Sequence, residues 1–352
     1  MASKGELRIL SYNVAGLPVF WQGRSPWIDS GLISAHFGEG HYDVVGLQED
    51  WSAHRQLAGK LGSALPYRTV HMGSVPFGDG LSIFSKYPVY NQNSVTWEKL
   101  CGVFSNDSDE LAPKGFVHTV LCLTKDPKGP KADFFTLHAD AGNDPGSIAA
   151  RDDNFRQLAA YINEYCAGRA LILTGDFNDY YERLTGGGTH LTELVPGLRD
   201  GWRERTSQGL YVGVDVGVHE TPENRDSIDR VMVRDGGGLR FTFLELTNFN
   251  IQLVDGKPVS AERWLAEGSA RLGLSDHAAR YAKLGWEYDA AQAFNYGELK
   301  PPTWSFGWLG RQICSFGHVA GIVLSEPFKL LWKRMNSKSK NKPSKGAQHG
   351  DH

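Results

Sequence analysis

The chain has 352 residues, 41% of them apolar, with a formal net charge of −3. That length holds one large domain or two small ones, and the apolar share is ordinary for a soluble chain with a sizeable core. Its four cysteines, Cys101, Cys122, Cys166 and Cys314, are far apart with no CxxC spacing, which excludes a cysteine-rich zinc site and a dense disulfide framework and leaves buried thiols as the expectation. The charge is uneven. Residues 333–352 hold six Lys or Arg against one Asp, whereas the remainder holds 31 basic and 39 acidic residues. An acidic body argues against a nucleic-acid groove, which normally leaves a basic footprint. The opening MASKGELRIL has no apolar leader region, and no stretch has the length of a spanning helix. The expected location is therefore cytoplasmic or peripheral to a membrane, with secretion unsupported.

In chain order, six apolar runs each end in a carboxylate, an amide or an imidazole. They are residues 7–13 (LRILSYN), 43–49 (DVVGLQE), 134–138 (FFTLH), 171–178 (LILTGDFN), 227–233 (SIDRVMV) and 274–277 (LSDH). Such runs read as buried strands that deliver side chains to one sheet edge. Between the third and fourth, residues 147–166 carry Ile148, Phe155, Leu158, Ala159, Ile162 and Cys166 at helical spacing, with Ser147 placed to cap the helix. Glycine-rich turns separate the elements, and no internal repeat occurs. The alternation predicts one α/β domain over residues 1–300, with a two-layer β core and outer helices. Residues 301–335 change character, with Trp304, Phe306, Trp308, Phe316, Phe328 and Trp332 among few acids. They are expected to pack on the domain or to face a membrane. Residues 336–352 read as a basic, disordered tail.

The chemistry follows from the run ends. A carboxylate at Glu49, after an apolar strand, loses hydration unless it meets a cation; the plainer reading is a surface acid. Asp176 and Asn178 are two apart, so an extended chain points both the same way, able to orient a water and a phosphate oxygen. Their plainer reading is an Asx-rich turn. Asp276 and His277 are adjacent and point apart on a strand, so a remote carboxylate should orient His277, and Asp229 is the best placed. His138 alone reads more readily as a core histidine, and Asn13 as a turn cap. Together the inventory is that of a divalent-metal phosphoesterase: hard oxygen ligands for Mg²⁺, and imidazoles for protons or phosphate charge.

In this order, the Asn of LSYN, the Glu of LQE, the His of TLH, GDFN, SIDR and SDH resemble the endonuclease/exonuclease/phosphatase superfamily. That resemblance implies the deoxyribonuclease-I-like fold, a four-layer α/β/β/α sandwich of two packed mixed β-sheets flanked by helices. LSYNVAGLP, GDGLSIFSKYPV, HADAG and DELAPKGF are similar to the neutral sphingomyelinase branch. A departure from that branch is Ala139, where Leu is usual, while SIDR, in place of the Trp-Cys-Asp-Arg of inositol polyphosphate 5-phosphatases, weighs against that competing branch. The resemblance implies a Mg²⁺-dependent phosphodiesterase, with Mn²⁺ as second choice, that cleaves a phospholipid head group of sphingomyelin type to ceramide and phosphocholine. The alternative is a nuclease or soluble phosphatase of the same superfamily.

The resemblance also implies roles. Glu49 binds the metal with help from Asn13, and Asp276 is a second carboxylate on the metal side. His277, oriented by Asp229, is the general base or stabilises the transition state. Asp176 and Asn178 position water and phosphate, and the base assignment stays open between Asp176 and His277. His138 and Lys114 contact the phosphate, with Asp109 as the partner of Lys114. The expected partner is the lipid itself, with peripheral membrane contact through the C-terminal segment, no nucleic acid and no protein partner.

Overall fold

The computed structural model describes residues 2–17, 26–73, 78–101, 113–179, 190–207, 228–249, 253–254, 257–258, 274–275 and 277–303. The aromatic segment beyond residue 303, the basic tail, Cys314, Asp109 and Asp276 lie outside the described residues. The strands are β1 (Ala2–Asn13), β2 (Val44–Gln48), β3 (Tyr67–Arg68), β4 (Ser82–Ser85), β5 (Val89–Thr96), β6 (Gly115–Cys122) and β7 (Lys131–His138). They continue with β8 (Leu171–Asp176), β9 (Arg199–Asp200), β10 (Asp229–Arg234), β11 (Leu239–Phe249), β12 (Leu253–Val254), β13 (Lys257–Pro258) and β14 (Ala279–Asp289). One sheet has the order β11-β14-β1-β2-β4-β3 and the other β5-β6-β7-β8-β10-β9. Both are mixed: β1 is parallel to β2 and β7 to β8, while the other pairs are antiparallel.

Three apolar clusters define four layers. Leu7, Ile9, Val44, Ile83, Val117, Phe134, Ile172, Val231 and Leu284 fill the space between the sheets. Leu10, Tyr12, Val45, Leu47 and Phe84 pack outward against helix α1 (Pro26–Glu39) and the short helices α2 (His54–Leu57) and α3 (Lys60–Ala64). Phe116, Phe135, Leu137, Leu171 and Leu173 pack outward against Phe155, Leu158 and Ile162 of α4 (Pro145–Tyr165). Strands covered on both faces have no solvent side, which is why the sequence shows continuous apolar runs. Each fully buried Leu, Ile or Phe contributes about 1.5–3 kcal/mol. This is the α/β/β/α sandwich expected from the sequence. Among the described residues, no helix is long and apolar enough to cross a membrane.

The helix start differs from the sequence expectation. Asp144, not Ser147, caps α4: its Oδ1 accepts from the backbone N–H groups of Gly146 and Ser147, and the Ser147 hydroxyl donates to its Oδ2. Pro145 occupies the first turn, where its missing N–H costs nothing. Ile148, assigned to the apolar face, is 39% exposed, because that face at the first turn is taken by Ser147, Ala150 and Arg151.

The inner face of the sandwich changes chemistry along its length. On β1 the inward positions run Leu7, Ile9, Ser11, Asn13, and on β2 Val44, Gly46, Gln48. On β7 they run Phe134, Thr136, His138, and on β8 Ile172, Thr174, Asp176. Register places Asn13 beside Gln48, His138 beside Asp176, and Asp176 beside Asp229. Apolar, small and functional layers therefore stack toward one end of the sandwich.

Candidate active site

Asn13 lies at the centre, fully buried. Its Nδ2 donates to Glu49 Oε1 at 3.0 Å and to Asp176 Oδ2 at 3.1 Å, and it stands 3.3 Å from His277 Nε2. Its Oδ1 accepts from the Ala15 backbone N–H at 3.0 Å, and this bond fixes the amide orientation. One amide thus joins both sheets at their common end. Glu49 follows β2 with φ of 58°, in the left-handed region that an acidic residue enters at a cost of about 1–3 kcal/mol. That reversal brings its carboxylate back over the strand end.

His277 Nδ1 stands 2.8 Å from Asp229 Oδ2. An ionised carboxylate only accepts, so Nδ1 carries the hydrogen and the Nε2 lone pair faces the site. Nε2 is 3.6 Å from Asp176 Oδ2. Ser275 sets the approach of this segment: its hydroxyl donates to the Asn13 carbonyl at 2.6 Å and accepts from the His277 backbone N–H. His138 is buried, with Nε2 3.4 Å from Asp176 Oδ2 and, among the described residues, no hydrogen-bond partner at Nδ1. Burial first, then the charge of Lys114, holds it well below the usual imidazole range, so it is neutral. Lys114 is itself buried, just ahead of β6, and its backbone carbonyl accepts from Trp97 N–H. The Trp97 indole N–H in turn donates to the His138 carbonyl at 2.7 Å.

Asn178 departs from the extended geometry expected of it. The strand ends at Asp176, and Asn178 has φ of 51°. Its backbone N–H donates to Asp176 Oδ1 at 2.9 Å and its Nδ2 to the Ala139 carbonyl at 3.0 Å. The turn thus secures Asp176 and the His138 segment instead of lying parallel to Asp176. Asp109 and Asp276 fall outside the described residues.

Sequence reading missed the layer beneath. Gln48 Nε2 donates across the sandwich to Thr136 Oγ1 at 2.8 Å and reaches Ser11 Oγ at 3.3 Å. The Thr174 hydroxyl donates to the Phe135 carbonyl. Gly46 is required by close approach, since a Cβ there would lie 2.7 Å from Thr174 Oγ1. The signal was present: Ser11, Gly46, Thr136 and Thr174 each stand two residues before a polar strand-end residue.

Three clusters among the described residues could hold a metal by proximity. Asp50, His54 and His71 do not suit one. His71 Nε2 bonds to the Asp50 carbonyl, its Nδ1 accepts from Gly73 N–H, and the two rings stack at 3.9 Å. His118, Asp133 and Cys166 form a closed network: His118 bonds Tyr161 and Asp133, Arg169 balances Asp133, and burial pushes the Cys166 thiol up. The third group, Asp176, Asp229 and His277, adjoins Glu49 through Asn13. There the carboxylates of Glu49, Asp176 and Asp229 converge at a largely buried end of the sandwich beside Lys114. Hard oxygen donors carrying surplus negative charge fit a divalent cation such as Mg²⁺.

The Endonuclease/Exonuclease/phosphatase family matches residues 10–277, a span that runs from the second half of β1 to His277, and the chain belongs to that family. The sphingomyelinase of Mycobacterium bovis is 32% identical over 208 residues, which are 56% of this chain and 39% of that protein. This chain thus spans well under half the length of that relative. Among solved structures, sphingomyelinase C from Streptomyces griseocarneus aligns over 79% of this chain and 99% of its own, with a TM-score of 0.52 and 19% identity. A beta toxin mutant from Staphylococcus aureus with bound magnesium ions aligns over 79% and 99%, with a TM-score of 0.53 and 15% identity. At these identities the structural likeness speaks to the fold.

Proposed function

We propose that this chain is a Mg²⁺-dependent phosphodiesterase that hydrolyses sphingomyelin-type lipids to ceramide and phosphocholine. The observation that carries the reading is the convergence of Glu49, Asp176 and His277 on the Asn13 amide, with Asp229 behind His277. The mycobacterial sphingomyelinase supports the lipid substrate, and the acidic body weighs against nucleic acid.

When bound, Mg²⁺ held by Glu49 and its neighbours would offset charge on the phosphoryl group. The neutral His277 Nε2 accepts a proton from the attacking water, and Asp229 stabilises the imidazolium that forms. Water oxygen bonds to phosphorus, the bond from phosphorus to the ceramide oxygen breaks, that oxygen takes a proton from solvent, and the His277 imidazolium then releases its own proton to solvent. Asn13 keeps the Glu49 and Asp176 carboxylates in register. Asp176, held by Asn178, orients the water, and the Lys114 ammonium and His138 meet the phosphate oxygens.

The test is phosphocholine release from sphingomyelin in mixed micelles with Mg²⁺, with plasmid DNA and bis-p-nitrophenyl phosphate assayed alongside. Release abolished by EDTA is expected. Cleavage of DNA or of the generic diester without the lipid would move the function to a nuclease or soluble phosphatase.

A further inference from the structure

Both parallel strand pairs are joined by crossovers that begin at the site end. β1 ends at Asn13 and its partner β2 restarts at the opposite end, so α1 between them begins at the site end of one outer layer. β7 ends at His138 and β8 runs parallel to it, so α4 begins at the site end of the other outer layer. The first turns of these helices carry exposed apolar side chains: Trp27 at 50%, Ile28 at 65% and, one turn on, Leu32 at 39% in α1, and Ile148 at 39% in α4.

These are four of the eight exposed large apolar side chains among the described residues, and the other four lie elsewhere. Tyr67 pairs with Ser85, level with Val44 at the far end. Tyr165 closes α4, Phe294 follows Asp289, which pairs with Ala2, and Leu244 sits at a mid-strand irregularity of β11. Apolar exposure at the site end therefore flanks the site from both layers.

We infer that Trp27, Ile28, Leu32 and Ile148 form a rim that rests on a zwitterionic phospholipid surface, with the site between its two halves. The inference rests on the lipid reading above. Charge selects the occupant. The opening turns of α1 and α4 carry Asp29 and the capping Asp144, while Arg151 is buried and donates to the Asp140 and Gly142 carbonyls. A rim that is apolar and acidic suits head groups of no net charge and is repelled by anionic ones. It leaves the lipid phosphate within reach of the strand ends without requiring a basic patch.

The experiment is co-sedimentation of the full chain, in EDTA to stop turnover, with vesicles of phosphatidylcholine and sphingomyelin. Wild type is compared with the variant Trp27→Ser, Ile28→Ser, Ile148→Ser and with a control, Tyr67→Ser, Leu244→Ser, altered away from the rim. The rim variant should lose about tenfold or more in vesicle affinity. The control should bind as wild type, and both variants should keep wild-type turnover of bis-p-nitrophenyl phosphate in Mg²⁺, which also verifies folding. Equal binding by the rim variant, equal loss in the control, absence of vesicle binding by wild type, or preference for phosphatidylserine vesicles would each overturn the rim. Vesicle binding that depends on the rim, without phosphocholine release, would uphold the rim and remove only the sphingomyelin assignment.

Discussion

His277 and Asp229 are 48 residues apart and meet at 2.8 Å between Nδ1 and Oδ2. The contact dictates which imidazole nitrogen faces the site, so the tautomer depends on a carboxylate and not merely on a hydrogen-bonding neighbour. Replacing Asp229 with Asn keeps the shape but allows an amide hydrogen to meet Nδ1, which moves the imidazole hydrogen to Nε2. Asp229→Asn should lower kcat by about two to four orders of magnitude with KM and far-ultraviolet circular dichroism little changed. A kcat near wild type would remove Asp229 from the positioning of His277. From sequence, the adjacency in SDH argued against Asp276 as that partner and pointed to Asp229 of SIDR. The turn at Asn178 was not legible, because an Asn two residues past an Asp fits an extended chain as well as a left-handed turn.

At the scale of elements, the strand ends are held in place by the small layer beneath them. Gly46 sits where β2 comes closest to Thr136 and Thr174 of the facing sheet. A methyl group there must push the sheets apart just below Asn13 and Asp176, which belong to different sheets. Gly46→Ala should therefore destabilise the fold by about 1–3 kcal/mol and reduce activity even where the protein remains folded. Adding Thr174→Ala removes the opposing hydroxyl, so the double variant should be less destabilised than the two single changes sum to, by about 1 kcal/mol in a urea-denaturation cycle. Strict additivity would mean that the sheets do not meet through this pair. Five of the six apolar runs lie on strands, but Leu274, Ser275 and His277 precede β14, which starts at Ala279, so the short run ending in SDH is an irregular approach and not a strand. The start of α4 was not legible, because Asp144 and Ser147 are both competent caps, and only Pro145 in the first turn fixes the earlier one.

Across the whole molecule, the buried acids link stability to pH. Asp79 lies in the segment between β3 and β4, 2% exposed, and its Oδ1 accepts from Leu81 N–H. Burial is the main reason its carboxyl is pushed up to about 7. Unfolding returns it to about 4, so the native state holds the proton more tightly than the unfolded chain between those values. The contribution is fully present below about pH 4 and is lost as pH rises through about 7. Asp79→Asn does not titrate, so it should stabilise the protein relative to wild type at pH 8 by up to a few kcal/mol, and much less at pH 5. Urea denaturation at both pH values checks this, and an equal difference at the two would sink it. The sequence by itself determined five of the central strands and which run ends carry chemistry, because doubly covered strands must be apolar throughout and a polar residue at their end is conspicuous. Only the tertiary structure decided that one Asn13 amide holds Glu49 and Asp176 from opposite sheets, that Gln48 and Gly46 set the spacing beneath them, and that exposed apolar turns gather at the site end. Those are relations between sheets and between outer layers, and they arise from register and sheet packing, which local periodicity does not encode.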